Sequence, residues 1–116
     1  MLIRIDASAA EAVFDQIASA IRAAIAAGEV LPGERLPAAR DLAESLGINV
    51  HTVLHAYQAL RDEGLLELRR GRGAVIRGTP ASDELRRAIA ATVEEAKAAG
   101  VGLPTLTALI RKEYAR

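Results

Sequence analysis

At Gly64 the spacing of apolar residues changes from helical to alternating, and a hairpin signal follows within a few residues. Before it, Val53, Ala56, Tyr57 and Leu60 recur at i, i+3, i+4 and i+7, the stripe of a helix with one buried face. After it, Leu65 to Arg70 and Ala74 to Arg77 read as two short strands joined through Gly71-Arg72-Gly73, a turn rich enough in glycine to reverse the chain. A hairpin tied this closely to the end of a helix must lie beside that helix, so the outward face of the helix and the basic tip of the hairpin belong to one surface.

The segments upstream supply the rest of a small helical core. Leu2 to Ile5 alternates apolar and charged residues, as a short edge strand does. Ser8 and Glu11 have the spacing of a capping box opening a first helix. Val13, Ile17, Ile21, Ala24 and Ile25 form its buried stripe, and Gly28 closes it. Pro32-Gly33-Glu34-Arg35 reads as a turn. A second helix is expected from about Pro37, with Leu42, Ala43 and Leu46 inward, stopping at Gly47. Asn49 is a good N-cap for the third helix, which runs to Gly64. Gly78-Thr79-Pro80 reads as a linker, and two further helices are expected over 83–99 and 104–115, parted by Gly100-Val101-Gly102. Aromatic residues make up only 3% of the chain, so the core must be built from Ala, Leu, Ile and Val.

Three helices followed at once by a two-stranded hairpin is the order of a winged helix-turn-helix. The expected class is α+β, mostly helical: a winged helix-turn-helix over 1–78, followed by a tail of two C-terminal dimerisation helices over 79–116. Gly47 and Ile48 alone precede the Asn49 cap, a turn suited to the steep crossing of the second and third helices. Such a fold sets the third helix in the major groove of duplex DNA and the wing on phosphates or in the adjacent minor groove. His51, His55 and Gln58 face away from the buried stripe as candidate readers of base edges or phosphates, and Asn49 and Thr52 can bond phosphate. Asp62 shares that side but lies in the last turn, where the helix leaves the groove. The plainer reading leaves both histidines merely solvent-exposed.

Formal net charge is zero, with 15 basic and 15 acidic residues, which argues weakly against a nucleic-acid binder. Distribution outweighs the sum, since Arg69, Arg70, Arg72 and Arg77 fall within nine residues that hold no carboxylate. A solvated surface strand is the competing reading of that cluster.

Residues Phe14 to Ile76 resemble the DNA-binding domain of the GntR family of bacterial regulators. The resemblance rests on Gln16-Ile17, on Gly28 through Pro37, on Arg40-Asp41-Leu42-Ala43 and on Leu46-Gly47-Ile48. It continues through Thr52-Val53, Ala56-Tyr57, Leu60, Glu63-Gly64-Leu65-Leu66 and Gly71-Arg72-Gly73. Asn49 to Tyr57 is most similar to the short YtrA-like branch. The resemblance implies that Arg40 contacts DNA from the second helix, that Thr52 bonds phosphate, and that Arg70, Gly71 and Arg72 form the wing tip. It also implies control of neighbouring genes, usually by repression. Four positions depart from the pattern. Ala38 replaces the usual serine cap, Val50 and His51 replace Pro-Asn, and His55 stands where an arginine is usual. The last change alters the expected operator sequence, because arginine pairs with guanine bidentately and histidine less firmly.

About 38 residues follow residue 78, too few for a large effector pocket or a pyridoxal phosphate enzyme but enough for two helices. Leu85, Ile89 and Val93 form one apolar edge, and Leu103, Leu106, Leu109 and Ile110 another. A helical pair this small buries little by itself, so it is expected to pack on a second copy as a symmetric homodimer; folding back on its own winged helix is the competing arrangement. The expected partner is double-stranded DNA, no cofactor is implied, and a small-molecule effector stays open. With no cysteine, disulfides, thiolate metal sites and cysteine nucleophiles are excluded. No hydrolytic triad or phosphate-cradling loop stands out, and His51 and His55, though four apart, have no evident third metal ligand. The start Met1-Leu2-Ile3-Arg4-Ile5-Asp6 lacks the pattern of a signal peptide, no segment suits a membrane span, and the cytoplasm is the expected location. A winged helix used for protein interaction, with weakened DNA binding, is the second functional reading, motivated by the zero net charge and the missing arginine at 55.

Overall fold

The computed structural model describes residues 1–116, which divide into two units, Met1–Ala81 and Ser82–Arg116. The first holds α1 (Val13–Ala26), α2 (Ala39–Leu46), α3 (Val50–Asp62), β1 (Leu66–Arg69) and β2 (Gly73–Ile76); the second holds α4 (Asp83–Ala98) and α5 (Leu103–Tyr114). This is a mostly helical α+β fold with the winged helix-turn-helix order.

The core of the first unit forms where three apolar stripes meet. Ile17, Ala18, Ile21, Ala24 and Ile25 of α1, Leu42 and Ala43 of α2, and Val53, Ala56, Tyr57 and Leu60 of α3 are buried with Leu66, Ala74 and Ile76 of the hairpin. Val13, expected on the α1 stripe, is half-buried at the edge of this core. Gly47 turns the chain with φ +68, and Ile48 N–H closes the turn on Ala43 O at 3.0 Å. Asn49 caps α3, its Oδ1 accepting from His51 N–H at 2.8 Å. The Tyr57 hydroxyl, on an otherwise buried ring, donates to Pro37 O at 2.8 Å and ties α3 to the segment before α2.

Several local expectations are corrected. No strand forms at 2–5; Ile3 is buried in an irregular segment. Ser8 does not cap α1, because its N–H and hydroxyl both donate to Asp6 Oδ1, at 3.0 and 2.6 Å. The helix starts instead at Val13 with no side-chain cap. Gln16 takes over the anchoring, accepting from Asp6 N–H at 2.7 Å and donating to the carbonyls of Asp6 and Glu11 at 2.9 Å. Helix α2 begins at Ala39 rather than Pro37, and its N-cap Ala38 has no side chain to bond. The stretch 78–80 is no loose linker. A Cβ on Gly78 would lie 2.8 Å from side-chain carbons of both Ile25 and Leu65, and Ala81 N–H donates to Ala26 O at 2.9 Å.

The hairpin pairs Leu66 with Ile76, Glu67 with Val75, Leu68 with Ala74 and Arg69 with Gly73. The segment read as a simple turn does more. After Gly33, at φ +90, the chain runs along the free edge of β2 and Arg35 forms an antiparallel bridge with Val75. Gly33 N–H donates to Ile76 O, Ile76 N–H to Glu34 O and Leu36 N–H to Ala74 O, at 2.8, 2.8 and 2.9 Å. Strand β2 is therefore bonded on both sides.

In the second unit, Ser82 caps α4 by accepting from Leu85 N–H at 3.1 Å, with Asp83 and Glu84 in the first turn and Lys97 in the last, the polarity that suits the helix dipole. Pro104 falls at the start of α5, where its missing N–H costs nothing. Ala96 is the unit's buried side chain, and α5 buries none. Leu85, Ile89, Leu103, Leu109 and Ile110 are exposed, and Val93 and Leu106 are half-buried. No helix is long and apolar enough to cross a membrane.

Candidate nucleic-acid interface

The outward side of α3 carries short polar and ring side chains over its first turns. His51, His55 and Gln58 are exposed, and Thr52 is half-buried. Because the Asn49 carbonyl is engaged as the helix cap, its amide nitrogen is what remains to meet a phosphate. His55 is more constrained than an outward position suggests. Its ring lies against that of Phe14 on α1, with centroids 4.1 Å apart and planes inclined by 36°. No third metal-ligating side chain joins His51 and His55.

Three elements meet beside α3. Ala38 and Ala39 at the start of α2, Leu54 and Tyr57 on α3, and Leu68, Arg69, Arg70, Gly73 and Ala74 on the hairpin line one groove. Arg40 stands exposed in the first turn of α2 beside it. Arg40, Arg70 and Arg72 make no ion pair, so each guanidinium is available to an anion. The two arginines of the tip diverge. Arg70 borders the groove shared with α2 and α3, whereas Arg72 lines a second recess with Gly33, Arg35 and Val75.

The arginine cluster is only half free. Glu67, just outside the carboxylate-free run, accepts from Arg69 and from Arg77, whose Nε lies 2.5 Å away. These hydrogen bonds, first from Arg69 and then from Arg77, hold the Glu67 carboxyl at about 2, well below the usual carboxylate range. Arg69 is raised in turn by the same bond. Two other carboxylates near the end of α3 are also occupied, Glu63 by a fork from Arg22 and Asp62 by Arg61 at 3.3 Å. Zero net charge thus coexists with a patch of unpaired arginines. Arg35 is the member that sequence reasoning missed. It is exposed, makes no ion pair, and sits beside Arg72 only because of its bridge to Val75.

Residues 14–76, from the second residue of α1 to the end of β2, match the model for "Bacterial regulatory proteins, gntR family". The chain is 36% identical over 75 residues to the HTH-type transcriptional repressor YtrA of Bacillus subtilis (strain 168), across 65% of this chain and 58% of that protein. It is 39% identical over 67 residues to the HTH-type transcriptional regulator Rv1152 of Mycobacterium tuberculosis (strain ATCC 25618 / H37Rv), across 58% of this chain and 55% of that one. It spans little more than half the length of these curated relatives. Among solved structures, YtrA from Sulfolobus acidocaldarius, a GntR-family transcription factor, aligns over 97% of both chains with a TM-score of 0.62 and 31% identity. With the family model covering more than half of its residues, and a YtrA structure matching nearly its full length, this chain belongs to the GntR family of bacterial regulatory proteins, in the short YtrA-like branch.

Proposed function

We propose that this chain is a sequence-specific, DNA-binding transcription regulator that acts as a homodimer on an inverted-repeat operator, as a repressor. The observation that carries the DNA reading is the convergence of the start of α2, α3 and the hairpin on one groove, lined by Arg70, which no carboxylate holds, and by Arg69, which Glu67 does. In this reading Arg40 and Arg70 meet phosphates from two sides of α3. His51, His55 and Gln58 address base edges, Asn49 and Thr52 bond phosphate at the helix start, and Gly71 lets the Arg72 tip approach the duplex closely. The Bacillus subtilis relative is a transcriptional repressor, which supports the direction of regulation.

The homodimer is supported by the second unit. Leu85, Ile89, Leu103, Leu109 and Ile110 leave half or more of their surface in water, with Val93 and Leu106 half-buried between them, a large patch for so short a segment. A second copy offers the same patch, and a two-fold pairing is self-complementary. Two winged helices on one duplex make the second contact effectively intramolecular, raising affinity by roughly 10²–10⁴-fold. Half-sites are then about one helical turn apart.

The test is deletion of residues 82–116, a boundary that spares Pro80 where it lies over Gly28 and the Ala81 N–H bond to the last residue of α1, Ala26. Light scattering should show a dimer for the full chain and a monomer for the truncated one. Mobility shift with fragments of the gene's own upstream region, at two salt concentrations, should show tight binding only for the full chain. A truncated chain that still dimerises moves the interface elsewhere. A full chain that prefers no fragment leaves the winged helix to protein interaction.

A further inference from the structure

The hairpin has two faces, and the DNA reading accounts for only one. Antiparallel pairing puts directly opposed residues on the same face. Arg35, Val75 and Glu67 therefore form one row across the sheet, on the side away from Leu66, Ala74 and Ile76 in the core. Arg69 and Arg77 reach Glu67 from the neighbouring positions, and Arg72 lines the recess that Arg35 and Val75 share. Two guanidiniums thus hold the one carboxylate of this face, and two more, of Arg35 and Arg72, share the face without touching it. Glu34, the nearest other acid in sequence, is turned back to accept from Leu31 N–H at 3.2 Å.

Resting on the DNA-binding reading, we propose that this outer face of the wing is a second phosphate-binding surface, on which Arg35 joins Arg72 while Glu67 holds Arg69 and Arg77 out of use. A dense phosphate row matches this charge pattern, since a duplex carries one negative charge per ~1.7 Å of axis. Arg35 is well placed for the contact. Its backbone is fixed by the bridge to β2, its side chain carries no ion pair, and its neighbour Val75 is covered, leaving the guanidinium as the polar end of that row. Glu67 sets how many charges the surface offers. With both its oxygens engaged, two of the four arginines are neutralised locally, which limits attachment to any duplex regardless of sequence.

The test measures affinity for a random-sequence duplex against salt, using the full chain and three variants. Each phosphate contact contributes about 0.9 to the slope of log K against log salt. Arg35→Gln should lower the slope by about 0.9, so its affinity falls about 3.5-fold less than wild type between about 50 and 200 mM salt. Arg35→Lys, which keeps the charge, should leave the slope in place. Glu67→Gln should steepen it by up to about 1.8 and tighten random-duplex binding at low salt. An unchanged slope in Arg35→Gln, or an equal loss in Arg35→Lys, overturns the role of Arg35. An unchanged or shallower slope in Glu67→Gln overturns the restraint, and that variant carries the test even where Arg35→Gln does not fold. If wild type binds no duplex at any salt, the underlying DNA reading falls; if it binds and the variants match it, only this proposal falls.

Discussion

Replacing Tyr57 by phenylalanine should destabilise the winged helix at neutral pH and protect it at high pH, with the two stability curves crossing near pH 11. The ring is only 3% exposed, and its hydroxyl donates to Pro37 O at 2.8 Å. Removing the hydroxyl leaves that carbonyl short of a partner, at a cost of about 1 kcal/mol. In a unit of this size that lowers the thermal midpoint by roughly 4–8 °C. Burial also pushes the Tyr57 phenol from 10.0 up to about 12. Below pH 10 the phenol is neutral in both folded and unfolded chains and adds no pH dependence. Above 10 the unfolded chain releases the proton while the folded one keeps it, so stability falls until the folded phenol also titrates near 12. At about 1.4 kcal/mol per pH unit the loss reaches about 3 kcal/mol. It cancels the hydrogen bond's contribution after less than one unit. Urea unfolding followed by circular dichroism on both proteins at intervals from pH 8 to 12 gives the two curves. Parallel curves that never cross would refute the reasoning, since they would mean the phenol is not buried in the folded chain.

Other substitutions address single elements. Gly78→Ala should destabilise by about 1–3 kcal/mol in thermal unfolding, because the new Cβ would press on Ile25 and Leu65 from 2.8 Å. Asn49→Ala should cost about 1 kcal/mol through loss of the α3 cap. Asn49→Asp should keep that stability yet weaken duplex binding in titrations, by setting a negative charge toward phosphate. Arg72→Ala should weaken specific and random duplexes alike and reduce the salt slope by about 0.9. His55→Arg should change the motif selected from a random pool; identical motifs from both proteins would show that position 55 does not read bases.

How much of this was legible in the sequence depends on how far apart the deciding residues lie. Helix α3 was legible throughout, because its stripe, the Asn49 cap and the Gly64 stop are all local and agree with one another. The start of α1 was not, because Ser8 has two partners within reach of a short side chain and takes Asp6 over the helix end. A capping-box spacing does not show which of the two wins. The bridge of Arg35 has no periodicity to betray it, being one residue long. The Glu67 restraint was partly visible, since Glu67 and Arg69 are two apart and must share a strand face. Adding Arg77 required the hairpin register. The contact of His55 with Phe14 spans 41 positions and depends on the packing of α1 across α3, which no local pattern fixes.

The pairing of 33–36 along β2 also bears on the timing of order in the wing. Two strands of four residues make a hairpin that is marginal on its own in water. Here the inner strand is stitched on both edges, and the stitch leads directly into the segment that precedes α2. On the proposed reading the wing would meet a duplex with its strands already ordered, only the short loop 70–72 between them lying outside the paired strands. Docking then has to freeze a loop rather than fold a ribbon, so little of the entropy lost on complex formation comes from the wing's backbone. Amide exchange would display that division, slow at Leu36 and Ile76 and fast at the tip, before any DNA is added.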